Sequence, residues 1–339
     1  MIKIVKKGLM MLGAAAIALA SCTQNEVVEV AENRTIGFDA FVNNTTKADI
    51  VDAQFAKFWV FGAYDNTTSC TPFYTNDVVE KKESGWTAAK TAYWTANKSH
   101  KFAAYADGTS QLADGVSFDA ATGDNGTLKF ENYTVGENDL VAAVATAMTW
   151  DGTSATQKVG FTFKHLLSKV KFTFTTDAAN DYVMKIEDLK IVAKGIASPT
   201  VKASCDFDGD NSDLTWTAAS QGATGEYTYA TIDDCAGGTT NSAEEYVIPQ
   251  NNALTVSFKV TFTDNGGTEI ASKAGITGDL AISNETAWKA GNVYNYQVKI
   301  NPEDVNSNLK KIEFDNITVD PWADSSNQPG EIQETIPQN

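Results

Sequence analysis

The sequence predicts an all-β protein of packed β-sandwiches with few, short helices, on three observations. Thr, Val, Phe and Tyr recur at alternate positions through the body of the chain, the pattern of strands with one buried and one wet face. No stretch much beyond ten residues keeps a 3.6-residue apolar period, because Asp, Thr and Gly interrupt every candidate. Clusters such as Asn265-Gly266-Gly267 punctuate the runs with turn chemistry. A chain of 339 residues, 42% hydrophobic and 20% charged, can bury a sizeable core, so neither disorder nor a multispan membrane protein fits. The formal charge of -17, with no basic stripe to offset it, makes nucleic acid a poor partner. His100 and His165 are the only histidines, and no cysteine lies within metal-pairing spacing of another, so the sequence offers no zinc motif and little for histidine-dependent catalysis. No enzyme, cofactor or metal is expected.

Taken in order, residues 1–21 carry Lys3, Lys6 and Lys7 and then an apolar run from Gly8 to Ala20, too short to span a bilayer, which reads as a secretory signal. It ends Leu19-Ala20-Ser21-Cys22 and resembles a bacterial lipobox, in which the Cys22 thiol takes the lipid, such as palmitate, and becomes the first mature residue. Residues 22–34 are polar and read as a lipidated tether. Loss of the signal removes three lysines and no acid, so the exported protein is more acidic still and the lipid must hold it at the outer membrane.

Strand patterns follow at Thr35 to Val42, Phe55 to Tyr64, Lys101 to Tyr105, Leu128 to Tyr133, Leu140 to Met148 and Val159 to Phe163. They continue at Lys169 to Thr175, Lys185 to Ala193, Glu226 to Ile232, Tyr246 to Pro249, Leu254 to Phe262, Tyr294 to Ile300 and Ile312 to Val319. Asp65 to Lys90 and Thr231 to Glu244 are expected to be long loops. A short apolar knot at His165-Leu166-Leu167 joins two alternating runs, so the body divides into an N-terminal sandwich at 35–160 and a C-terminal one at 161–322, with a polar tail at 323–339.

Several passages, in order, carry a resemblance. They are the lipobox, Thr35-Ile36-Gly37-Phe38-Asp39-Ala40-Phe41-Val42 with Thr46-Lys47-Ala48 after it, the run from Phe163 to Val170, and Tyr246-Val247-Ile248-Pro249-Gln250. Trp288 to Tyr296 and Ile317-Thr318-Val319-Asp320-Pro321-Trp322 complete the set. Together they resemble the fimbrillin-like family of Bacteroidetes, lipoprotein subunits of protease-assembled pili. The resemblance implies two tandem transthyretin-like β-sandwich domains, an arginine- or lysine-specific processing protease, other pilin subunits as partners, and a place on the cell surface and then in the fimbrium. It also implies assembly by donor-strand exchange, in which the lipidated first strand is cut away and the C-terminal strand of another subunit replaces it.

The residues support that logic. Ile36, Phe38, Ala40 and Val42 share one face of the first strand, whose burial is worth roughly 5 to 8 kcal/mol as an upper estimate. Asn43 to Lys47 is polar and suited to proteolysis, and a cut between Lys47 and Ala48 would sever the strand. Arg34, the only arginine, is the alternative cut site, although cleavage there would leave the strand attached. The candidate donor strand is Lys310 to Val319, where Ile312 and Phe314 alternate and Ile317 and Val319 resume one step out of phase, as a bulge near Asp315-Asn316 would allow. An ordinary terminal strand of the second sandwich is the other reading of this segment.

Cys205 and Cys235 could close a disulfide worth about 3 kcal/mol in an oxidising compartment, leaving Cys70 single; unpaired thiols are the other outcome. The acidic run from Cys205 to Asp213 lacks the glycine placement and closing glutamate of a calcium loop and reads as a hairpin turn. His165 reads as a packed residue and His100 as a surface one. An alternative function is a surface lipoprotein that binds glycans through exposed aromatics, with Trp86 and Trp94 as the candidate platforms.

Overall fold

The computed structural model describes residues 34–42, 55–108, 110–112, 115–177, 182–195, 198–220, 222–236, 241–250, 254–280, 288–306 and 316–321. They form an almost purely β structure. The first nine strands are β1 (Thr35–Val42), β2 (Lys57–Asp65), β3 (Cys70–Lys82), β4 (Gly85–Ala88), β5 (His100–Asp107), β6 (Val116–Asp119), β7 (Thr127–Tyr133), β8 (Leu140–Met148) and β9 (Thr156–His165). Then come β10 (Ser168–Thr175), β11 (Tyr182–Lys194), β12 (Ala203–Phe207), β13 (Thr217–Ala218), β14 (Thr224–Thr228), β15 (Ile232–Ala236) and β16 (Asn241–Val247). The last elements are β17 (Leu254–Asp264), β18 (Glu269–Leu280), β19 (Asn292–Lys299), the short helix α1 (Pro302–Asn306) and β20 (Asn316–Pro321).

Seven strands close into a ring in the order β1-β4-β3-β2-β5-β8-β9. Its interior is an apolar core that includes Ile36, Phe38, Phe58, Val60, Phe102, Val141 and Phe161. The wall formed by β2, β5 and β8 is buried on both faces. In β5, Phe102, Ala104 and Ala106 point into the ring, whereas Ala103 and Tyr105 face a second core outside it. Double burial explains why Phe102-Ala103-Ala104-Tyr105-Ala106 reads as a continuous apolar run rather than an alternation. The outer layer is the sheet β13-β12-β7-β6, whose Leu128, Phe130, Cys205 and Phe207 join the second core. Tyr105 meets Phe130 edge-on there, with ring centroids 5.9 Å apart.

The rest of the chain is a sandwich of two sheets, β16-β10-β19-β20 and β14-β11-β17-β18, with β15 also paired to β11. Strict alternation along β17 points Leu254, Val256, Phe258, Val260 and Phe262 inward, and Phe174 of β10 meets Phe258 from the opposite sheet at 5.3 Å. β9 runs past the expected boundary at residue 160 to His165, and Leu166 and Leu167 then carry the chain into β10, both fully buried. β12 comes from the later part of the chain yet hydrogen-bonds to β7 from the earlier part.

Two expected loops are strands instead. Asp65 to Lys90 holds all of β3 and β4, and Thr231 to Glu244 holds β15 and the start of β16. In β3, Pro72 and Asn76 break the apolar alternation that marks a strand. Pairing with β2 survives because the register shifts at both places, and Asn76 takes the left-handed φ of 78°. His100, expected on the surface, is fully buried. Its Nε2 accepts from the Thr95 amide at 3.0 Å, its Nδ1 donates to the Lys98 carbonyl at 3.0 Å, and burial holds its pKa below the usual histidine value. Both ring nitrogens are thereby satisfied, which is what allows an imidazole into the interior.

The suggested Cys205–Cys235 disulfide is not formed. Cys205 is a free thiol buried in β12 opposite Phe130, whereas Cys235 lies on β15 opposite Met184 of β11, in a different sheet. The two positions lie on strands that are not neighbours in any sheet, which sequence spacing does not report. Cys70 is also free.

Candidate functional site

The site is the slot in the closed ring that β1 occupies. Along one edge β1 runs parallel to β9 in unbroken register from Thr35↔Thr156 to Val42↔Phe163. Along the other edge its only registered partner in β4 is Phe38↔Trp86, supplemented near its start by Ile36 N–H to the Ala92 carbonyl at 3.0 Å and Trp94 N–H to the Arg34 carbonyl at 2.8 Å. A ring with a sparse seam beside one strand can open there without breaking a ladder elsewhere.

Inward-facing side chains hold the strand. Phe38 is 2% exposed and Ile36 7%. Phe38 sits in an aromatic cage, stacked on Phe161 at 6.0 Å, edge-on to Phe58 at 5.9 Å and tilted against Tyr74 at 5.8 Å. Ala40 packs partly buried against the same core. Burying Ile36 and Phe38 together stabilises the closed ring by about 3 to 6 kcal/mol. The outward face is polar, with Lys158 Nζ bonded to Asp39 Oδ1 at 2.9 Å, an exposed pair of small worth. Gly37 faces out beside β9, where an added Cβ would stand 2.9 Å from Thr156 Cγ2 and 3.1 Å from Lys158 Cγ, so a side chain at this position requires those two side chains to shift.

Of the residues singled out in the sequence, Ile36, Phe38 and Ala40 thus line one slot, and Val42 continues the register opposite Phe163. Arg34 stands at the head of β1, its guanidinium 5.0 Å over the Trp150 ring. Cys22, Lys47 and Ala48 lie outside the described residues, as do Ile312 and Phe314. Ile317 and Val319 belong to β20, the edge strand of its sheet, opposite Tyr296 and Tyr294 of β19. Ile317 packs partly buried against the core and Val319 is 36% exposed, so β20 is held mainly by backbone bonding. Pro321 is tolerated because an edge strand has one row of amides with nothing to donate to.

Among the described tryptophans none is an exposed platform. Trp94 is 2% exposed and donates its Nε1–H to the Gln157 carbonyl at 3.2 Å. Trp86 is half-buried in β4, 4.9 Å from the Phe58 ring and 5.2 Å from Phe55. Both complete the wall of the slot, the role that their expected loop position concealed.

The acidic run after Cys205 is committed internally. Asp210 accepts from the Ser212 amide and hydroxyl, each at 3.1 Å, and pairs with Lys164 Nζ at 3.3 Å. Among the described residues no group of three or more His, Cys, Asp or Glu could hold a metal ion, and no helix is long and apolar enough to cross a membrane. One polar cluster is buried where β5, β8 and β9 end together. His165 Nδ1 donates to Asp139 Oδ2 at 2.5 Å, and Asp107 lies opposite Leu140, the neighbour of Asp139. Burial, and then the charge of Asp139, push the Asp107 carboxyl up to about 7. The Tyr133 hydroxyl, also buried, feels both carboxylates and is pushed up as well, chiefly by burial. No spacing in the sequence marks this cluster, because its members come from four strand ends.

A protein-family model described as fimbrillin-like matches residues 43–322. Among solved structures, the chain is similar to a fimbrial protein from Bacteroides vulgatus, with TM-score 0.58 and 19% identity over 86% of this chain and all of that one. It is also similar to two candidate cell adhesion proteins. The one from Bacteroides ovatus has TM-score 0.51 and 14% identity, covering 86% of this chain and 98% of that one. The one from Bacteroides uniformis has TM-score 0.50 and 18% identity, covering 85% of this chain and 99% of that one. At these identities the structures establish a shared fold. No curated protein matches the chain.

Proposed function

Because the chain belongs to the fimbrillin-like family, we propose that it is a structural subunit of a cell-surface fimbrium that polymerises by exchanging β1 for a strand of another subunit, and so supports adhesion. One observation carries this reading: β1 completes a closed sheet, yet it is joined to the ring by one full ladder, a sparse seam and a few inward-facing side chains. A strand bound in this way is replaceable by any segment with the same backbone bonds and a matching apolar face.

In this reading Cys22 is lipidated and tethers the subunit to the outer membrane, with β1 keeping the slot filled during export. Cleavage between Lys47 and Ala48 by a trypsin-like protease then frees β1 with its lipid. Arg34 fits less well, since its carbonyl is bonded to Trp94 and cleavage there leaves β1 attached. The exposed slot has an apolar floor and an unpaired β9 edge, which favours rapid capture of a new strand. The C-terminal segment through β20 is the donor, because an edge strand can leave its sheet without opening it. The role is mechanical and needs no catalytic group. Glycan binding through tryptophan loses its basis, since the candidate rings are slot wall.

Limited trypsin treatment of the full chain, followed by N-terminal sequencing and size analysis, tests the reading. A new terminus at Ala48 together with oligomers is expected. A chain that loses β1 and stays monomeric, or one that forms oligomers with β1 intact, would overturn it.

A further inference from the structure

The two segments that compete for the slot share a short pattern. β1 reads Ile36-Gly37-Phe38-Asp39, and the segment before β20 reads Ile312-Glu313-Phe314-Asp315. Phe314 is the one phenylalanine after residue 300. In β1 each of the shared residues has a distinct place: Ile36 and Phe38 fill the floor, Phe38 in the cage of Phe58, Tyr74 and Phe161, and Asp39 pairs with Lys158 on the rim.

Resting on the strand-exchange reading above, we propose that a second copy of this chain enters the slot in one register, with Ile312 and Phe314 in the places of Ile36 and Phe38. Three features fix that register. The cage is shaped for an aromatic ring, so only the register that delivers Phe314 fills it; a one-residue slip would turn Phe314 to solvent and bring Glu313 or Asp315 into an apolar floor. Departure of β1 leaves Lys158 without Asp39, and this register returns Asp315 to that spot. Glu313 takes the place of Gly37, directly opposite Lys158, and adds a second carboxylate. The closest atoms to a side chain there are the ends of Thr156 and the Lys158 stem, which can turn aside.

Beyond Asp315 the two segments part by one position, since β1 continues inward with Ala40 and the donor with Ile317. A single-residue bulge after Phe314 brings Ile317 and Val319 back to the apolar side. The anchor is therefore the Ile-x-Phe-Asp half, and the chain carries within itself the key to its own slot, as a homopolymer requires.

The test uses the full chain carrying Glu313→Cys with one of Thr156→Cys, Lys158→Cys or Gly160→Cys, treated with trypsin and oxidised, with bridges located by peptide mass mapping. The proposal expects intersubunit bridging of 313 to 158 to exceed bridging to 156 or 160. In parallel, Phe314→Ala should cut polymer yield by about tenfold or more while the new terminus forms at the same rate. The melting temperature of the uncut Phe314→Ala monomer reports whether that variant folds, and the bridging pattern decides the register independently of it. Polymers bridged at 156 or 160, or a folded Phe314→Ala chain that assembles like the unmodified protein, would overturn the register and leave strand exchange standing. A β1-depleted protein that forms no polymer overturns both.

Discussion

Asp107 shows most plainly how a single residue acquires its properties from the fold. In an open chain its carboxyl would titrate near ~3.9; in the folded protein, burial and Asp139 raise it to about 7. The folded state therefore holds a proton that the unfolded chain has lost between those two values, so stability falls as pH rises from about 4 to 7 and is level above that. The Asp107→Asn variant removes the charge and the titration together. Its melting temperature is expected to vary less than that of the unmodified protein across this range, and to exceed it at pH 8 by an amount equivalent to about 1 to 3 kcal/mol. Equal pH profiles for the two proteins would show that Asp107 does not carry the effect. His100 acts in the opposite sense at the acid side, since its depressed pKa costs stability as pH falls through the ordinary histidine range. Both residues are visible in the sequence, but neither environment is. His100 sits beside Lys98 and Lys101 in a stretch that looks like surface, and only the strand pairing of β5 with β2 and β8 encloses it.

At the scale of elements, β1 and β20 are the two strands the function turns on, and they are bound differently. β1 combines a full parallel ladder with two deeply buried side chains, whereas β20 has an antiparallel ladder and shallow burial. Phe38→Ala deletes the main apolar anchor of β1 and is expected to lower stability by about 3 to 5 kcal/mol. Amide exchange along β1 should quicken more than exchange along β5, because β5 keeps both of its ladders and both of its buried faces. A uniform increase across all strands would mean that β1 is not a separable unit. The strands legible in the sequence are those with a sustained apolar alternation, such as β1 and β17, or a nearly continuous apolar run, such as β8, and their bounds follow the expected ones closely. β3, β12 and β18 were hidden. β3 carries Pro72 beside one bulge and Asn76 at another, Cys205-Asp206-Phe207 in β12 is too short to read as alternation, and β18 mixes Gly275, Gly278 and charged residues along a sheet edge. Pairing supplies in each case what local pattern lacks.

For the whole molecule, the second apolar core takes residues from both parts of the chain, with Trp59, Tyr105 and Leu140 from the ring strands and Phe172, Ile191 and Phe258 from the later sandwich. The β7–β12 ladder ties the same parts by backbone bonds. Such a shared core couples their unfolding, so calorimetry of the uncut monomer is expected to give one transition; two well-separated transitions would show that the parts melt independently. The sequence by itself determined the all-β class, the positions of most strands, the apolar face of β1 and the resemblance to a fimbrillin-like subunit, because these depend on periodicity and on short-range order along the chain. Tertiary structure decided that β1 lies parallel to β9, that its slot is an aromatic cage walled by Trp86 and Trp94, that Cys205 stays a free thiol, and that Asp107, Asp139 and His165 meet in the interior. These depend on which strands become neighbours, and that choice is made by the packing of side chains far apart in sequence, whose contacts no local pattern encodes.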